Sequence, residues 1–142
     1  MKKAFCAFAV ILCAFGVYRL AFRPVSVSLP DGCDSVSIST YGAVDGRYAV
    51  TDAGELGRWM KLLDSHAFRK SYRLSNEAPE NLWAEVQFQS GGRSVADLIL
   101  SANPYGDGGT VYLWNGGEER TACGAELYRQ VSFLIEKLDT NE

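Results

Sequence analysis

The sequence predicts an α+β domain: a mainly antiparallel sheet, built from an N-terminal hairpin plus a four-strand meander, with two helices, in the order ββαββββα, behind an N-terminal apolar helix. Three observations predict it. Short runs alternate apolar and polar residues, which is the period of strands. Two longer runs repeat apolar residues at helical spacing. Gly-rich turn signals separate the short runs. A hydrophobic share of 47% in 142 residues gives one domain enough apolar surface for a core and argues against disorder.

The chain starts with residues 1–22, MKKAFCAFAVILCAFGVYRLAF. Lys2 and Lys3 precede fifteen uncharged residues, Ala4 to Tyr18. A positive end followed by an apolar run is the layout of an export signal. Two forms fit. Ala14-Phe15-Gly16 places small residues for cleavage before Val17, giving a signal peptide. Alternatively Arg19 snorkels and Leu20 to Phe22 extend the run, giving a signal anchor over residues 4–22. Either form places the rest of the chain outside the cytoplasm, secreted or held at the membrane.

Residues 23–34 read as a linker, with Pro24 and Pro30 and alternating Val and Ser. The α+β domain is expected over residues 35–142. Val36, Ile38 and Thr40 alternate with serines in a first strand. Asp45-Gly46 is a turn signal, and Arg47 to Val50 completes the hairpin. Asp52 caps a helix, with Glu55 three residues later. Leu56, Trp59, Met60 and Leu63 form its apolar stripe, and the helix ends near Ser65 or His66. Phe68 to Pro79 reads as a polar connection, with Asn76 to Pro79 as a loop.

The meander follows. Leu82, Ala84, Val86 and Phe88 share one strand face, and Trp83, Glu85, Gln87 and Gln89 the other. In the next strand Ala96, Leu98 and Leu100 match the first set. A two-residue Gly91-Gly92 turn would set Val86 against Asp97. A three-residue loop sets Leu98 or Ala96 there instead, so face matching predicts the longer loop. Ser101 to Thr110, SANPYGDGGT, reads as a long hairpin connection. A phosphate loop would need a helix after it and a nearby Lys, and a calcium loop more oxygen ligands than Asn103 and Asp107. Val111 to Trp114 is the third strand, Asn115 to Gly117 a turn, and Glu118 to Ala122 a polar edge strand. Leu127, Val131, Leu134, Ile135 and Leu138 mark the last helix, Ala125 to Leu138, with Gly124 as its N-cap.

Charge and residue types exclude several functions. Beyond residue 22 the chain holds 11 basic and 17 acidic residues, a net charge of −6. That balance excludes the positive footprint nucleic acid requires. His66 is the single histidine, so no multi-His metal site exists and no metal or other cofactor is expected. Cys6 and Cys13 fall in the leader. Cys33 and Cys123 remain, and export predicts a disulfide between them. Glu85 and Asp97 on one sheet face are the available carboxylate pair for hydrolysis. Trp83, Tyr112 and Trp114 are expected on the face opposite the helices, with Tyr105 in the adjoining loop. Flat aromatic surfaces of this kind stack on sugars or anchor protein partners.

The run from Val50 through TDAGELGRWMKLLDS, the meander, and Cys123 followed by GAELYRQVSFLIEKL together resemble small secreted and lipoprotein domains of unknown function from Gram-positive bacteria. The resemblance covers residues 35–138 and rests on helix caps and apolar stripes. It implies an extracytoplasmic domain and carries no catalytic residues. The chain departs from the lipoprotein members. Cys13 follows Val10, Ile11 and Leu12 without the small residue that precedes a lipidated cysteine, and Cys6 lies too near the start. The expected function is therefore non-catalytic binding of a protein or cell-envelope component. An inhibitor or immunity-type protein acting on an exported enzyme is the alternative, and a carboxylate-dependent hydrolase the third.

Overall fold

The computed structural model describes residues 2–29, 32–42, 45–71 and 79–140, with side chains from Cys6 onward. The loop expected from Asn76 lies outside the described residues as far as Ala78, as does Arg73. The elements run α1 (Lys2–Ala21), β1 (Val25–Ser26), β2 (Ser35–Thr40), β3 (Gly46–Val50), α2 (Ala53–Asp64) and β4 (Ala67–Lys70). They continue β5 (Leu82–Ser90), β6 (Arg93–Ala102), β7 (Gly109–Asn115), β8 (Glu118–Ala122) and α3 (Glu126–Asp139). The strands form one eight-stranded sheet in the order β1-β4-β8-β7-β6-β5-β2-β3, antiparallel at every pairing. The α+β class, the hairpin, the meander and the two domain helices behind an apolar helix are therefore all present.

Period-two alternation decides the faces. Val36 pairs Phe88 and Phe88 pairs Ala96; Ile38, Val86, Leu98 and Leu113 pair in line; Thr40, Ala84, Leu100 and Val111 do the same. All of these are buried. They make three apolar rows across the sheet, and α2 and α3 cover them with Trp59 and Leu63, and Leu127, Val131 and Ile135. Short helices are marginal alone, so this shared apolar stripe holds them in place. Thr40 is the polar member of the rows, and its Oγ1 accepts the Gly46 N–H at 2.8 Å. Asp52 caps α2 by accepting the Glu55 N–H at 3.0 Å. The N-cap of α3 is Ala125, without a side-chain bond, rather than Gly124.

The β5–β6 turn corrects the loop expectation. Ser90 pairs Arg93, so the turn is the two-residue Gly91-Gly92, with φ of +56° and +76°. That pair of left-handed residues matches strand twist. The faces still agree because Val95 is an extra residue in β6: Gln89 pairs Ser94, whereas Phe88 pairs Ala96. Leu98 thus faces Val86, as face matching required, and a bulge rather than a longer loop achieves it.

Asp34 secures this turn from outside, accepting the Gly91 N–H at 2.7 Å. That backbone bond, with a further one from Ser35, holds the Asp34 carboxyl below its usual 3.8. A depressed carboxylate stabilises the fold above its unfolded pKa and loses that contribution as pH falls through the folded one. The Gly91 amide resonance is expected to titrate with a midpoint below 3.8, and Asp34→Asn to abolish the titration. A midpoint at or above the usual value would rule out the hydrogen bond as the cause.

Two short strands lay unseen in stretches read as linker and polar connection. β4 pairs β8 through Phe68 opposite Ala122, and β1 pairs β4 through Val25 opposite Phe68. Phe68 is 0% exposed, and Val27 and Leu29 also join the core. β8 is consequently an interior strand, not the expected edge; the edges are β1 and β3. The pairing partners lie far away in sequence, so local polarity gave no sign of them.

Among the described residues, none of α1 belongs to this core. Phe8, Val10, Ile11, Leu12, Phe15, Val17, Tyr18 and Leu20 are 54–71% exposed. Among the described residues no helix is long and apolar enough to cross a membrane.

Candidate binding surface

Among the described residues, α2 and α3 cover one face of the sheet and leave the opposite face without a helix of the domain on it. Register places its side chains in two cross-strand rows. The first runs Arg47, Ser39, Glu85, Ile99, Tyr112, Thr121, Arg69. The second runs Ala49, Ser37, Gln87, Asp97, Trp114, Glu119. Tyr112 and Trp114 therefore stand two residues apart on one strand, with Ile99 beside Tyr112 and Asp97 beside Trp114. Both aromatics are half-buried by their neighbours. Their period-two spacing in β7 was sufficient to place them together. Ile99, Arg47 and Arg69 belong to the same surface; only strand register reveals them.

Trp83 is not on this face. Leu82 pairs Ser101 and Ala84 pairs Leu100, which leaves Trp83 as an extra residue in β5. A bulge turns the extra side chain toward that of its neighbour. Asn81, in the left-handed conformation at φ 57°, precedes it and supplies the local kink. Trp83 thus packs against the core on the helix side, with its ring centroid 6.1 Å from that of Tyr128 in α3 at 70°. Its Nε1–H is buried beside the Tyr128 hydroxyl without a well-formed hydrogen bond.

Tyr105 is 96% exposed at the tip of the β6–β7 loop. Asn103 Oδ1 accepts the Tyr105 N–H at 3.0 Å, and the Asn103 N–H donates to Gly108 O at 2.9 Å. The stretch SANPYGDGGT is thus a closed hairpin loop between two strands. It projects Tyr105 beyond the sheet rather than beside Tyr112.

The carboxylate pair is occupied by neutral donors. Glu85 stands opposite Ile99, and Gln87 stands opposite Asp97, so the two acids are diagonal neighbours. Glu85 accepts from Tyr41 Oη at 3.1 Å and from Gln87 Nε2 at 3.0 Å. Asp97 accepts from Ser94 Oγ at 2.6 Å. Burial first, and then the Glu85 hydrogen bond, push the Tyr41 phenol above its usual 10.0. His66 Nδ1 lies 2.8 Å from Leu62 O and 3.0 Å from Ser65 Oγ, so the ring belongs to the polar cluster that closes the end of α2. Among the described residues no group of His, Cys, Asp and Glu is placed to hold a metal ion.

The disulfide expectation fails on topology. Cys33 and Cys123 are separate thiols. Cys33 precedes β2 at the Gly91 end of the sheet, while Cys123 follows β8 at the other end, its N–H bonded to Ala67 O. β5, β6 and β7 lie between β2 and β8. Four strand spacings of about 4.8 Å separate them by about 19 Å, far beyond the ~7 Å Cα limit of a disulfide.

No family model matches the chain, no curated protein matches it, and no solved structure matches its fold.

Proposed function

We propose that this is a non-catalytic extracytoplasmic domain that binds a protein or cell-envelope component through its open sheet face, at Tyr112 and Trp114. The observation that carries the reading is the one-sided covering of the sheet. Both domain helices pack on the apolar rows, and two aromatics stand in a field of Ser, Gln and carboxylate groups on the other side. Such a mixture gives contact area with ready hydrogen-bond partners around it. Export rests on α1, whose described large apolar side chains are more than half exposed and whose two leading lysines fit a signal peptide or anchor.

The second reading, an inhibitor or immunity-type protein, is favoured by Tyr105, an aromatic side chain held almost wholly in solvent by a closed loop. One panel separates the two. Envelope extract and exported hydrolases are presented to immobilised wild type, Tyr112→Ala, Trp114→Ala and Tyr105→Ala, with folding checked by circular dichroism. The open-face reading expects Trp114→Ala to weaken capture about 30-fold, the size of an aromatic hot spot, and Tyr105→Ala to leave it unchanged. Capture that survives both sheet variants and fails with Tyr105→Ala rejects the open face and supports the loop.

A further inference from the structure

A cleft of about 340 Å³ opens on the helix side of the sheet, where the β2–β3 hairpin meets the C-terminal half of α3. Tyr41, Tyr48 and Trp83 give it three aromatic walls, Ile135 an apolar floor, and Glu136 and Asp139 two carboxylates. Among the described residues no Lys or Arg lines it. That volume is within the usual range for small-molecule sites.

Its walls are fixed in place. The Tyr48 ring lies over Gly46, where an added Cβ would fall 2.5 Å from the phenol oxygen, so glycine makes room for it. The Tyr48 hydroxyl donates to Asp139 Oδ1 at 2.9 Å, tying the hairpin to the end of α3. The Tyr41 hydroxyl donates to Glu85. Trp83 is aimed here by its bulge and braced by Tyr128. Both phenols donate to carboxylates, which enriches their rings in electron density.

Three aromatic side chains beside two carboxylates, with no Lys or Arg in the lining, attract a cation that sheds water easily, although the Arg47 charge acts on Tyr41 from outside the lining. An anion would meet Glu136 and Asp139. A hard metal ion would need a shell of oxygen ligands that the aromatic walls do not supply. We propose that this cleft binds an organic ammonium group, of the kind carried by choline-type headgroups and by lysine-type side chains. Tyr48, Trp83 and the α3 residues of the site lie across the sheet from Tyr112 and Trp114, Tyr41 reaches Glu85 of the other face, and the site does not depend on the open-face reading.

The Trp83 indole N–H, buried and without a hydrogen-bond partner, is the reporter. Heteronuclear NMR of the full chain follows its resonance, assigned with Trp83→Phe, during titration at low ionic strength. The probes are choline, n-butylammonium and dimethylbutanol, the uncharged tert-butyl isostere of choline, each to about 50 mM, a range that captures millimolar affinity. A saturable shift with an ammonium and none with the isostere is expected. Asp139→Asn and Glu136→Gln, amide replacements at exposed positions, are each expected to weaken binding about twofold to fivefold. Tighter choline binding identifies a headgroup-type ligand, and tighter butylammonium binding a lysine-type one. The proposal is overturned by no saturable shift with either ammonium, by an equal shift with the isostere, or by unchanged affinity in both carboxylate variants.

Discussion

Trp59→Ala is expected to cost about 3–5 kcal/mol of folding stability, the range for emptying a large aromatic site in a core. Trp59 is 1% exposed and meets Phe88 edge-on, with ring centroids 6.5 Å apart at 73°. It joins α2 to the interior of the sheet, because Phe88 belongs to the interior strand β5 and pairs Val36 on one side and Ala96 on the other. α2 spans 12 residues, too few for a helix to persist alone, and its buried contacts are Trp59 and Leu63. Truncation therefore opens a cavity and loosens a helix together. A domain stable by about 5–15 kcal/mol would lose about a fifth or more of that margin. Urea denaturation checks this: the midpoint should fall with the slope unchanged. A loss under about 1 kcal/mol would show that the helix is anchored by its other contacts and that Trp59 merely fills space.

What the sequence makes legible here is whatever repeats locally. The alternation in β2, β5, β6 and β7 set the buried face of each strand, and helical spacing found the stripes of α2 and α3. Tyr112 and Trp114 fall together for the same reason, being two residues apart on one pleated strand. Trp83 does not, because one extra residue in β5 reverses the face of its side chain, and a bulge leaves no mark in composition. The Gly91-Gly92 turn is a related case: the turn signal and the face pattern conflict until Val95 absorbs the extra residue. Nonlocal pairing accounts for the rest. Phe68 is flanked by His66, Arg69 and Lys70, so nothing near it announces a strand that completes its pairing with β8. Cys33 and Cys123 were matched on compartment alone, whereas a disulfide depends on strand order. The aromatic cleft needs Tyr41, Tyr48, Trp83 and Asp139 to meet, and these come from three separate parts of the chain.

Gly109→Ala is expected to destabilise the fold by about 3 kcal/mol or more, at the upper end of the range for overpacking. Gly109 opens β7 opposite Ala102. A Cβ there would collide with the Ser101 carbonyl oxygen on the neighbouring strand and with the Tyr128 ring from α3. A flexible side chain can swing aside, but a carbonyl within a paired strand cannot move without parting β6 from β7. Gly91, Gly92, Gly116 and Gly117 have open space around them, so substitution there meets only the cost of a left-handed backbone. The Tyr128 phenol provides a second readout. Burial lifts its pKa above 10.0, against smaller opposing effects of Trp83 and Ser132. A raised phenol pKa stabilises the fold at neutral pH and loses that contribution as pH rises through the folded value. In Gly109→Ala the displaced ring should titrate nearer the ordinary value, visible as an earlier phenolate absorbance step under conditions where the variant remains folded. Tyr128→Ala removes one of the two obstacles, so the double variant should recover part of the lost stability. Full recovery would identify the ring as the sole obstacle and leave the β6–β7 backbone free to accommodate a side chain.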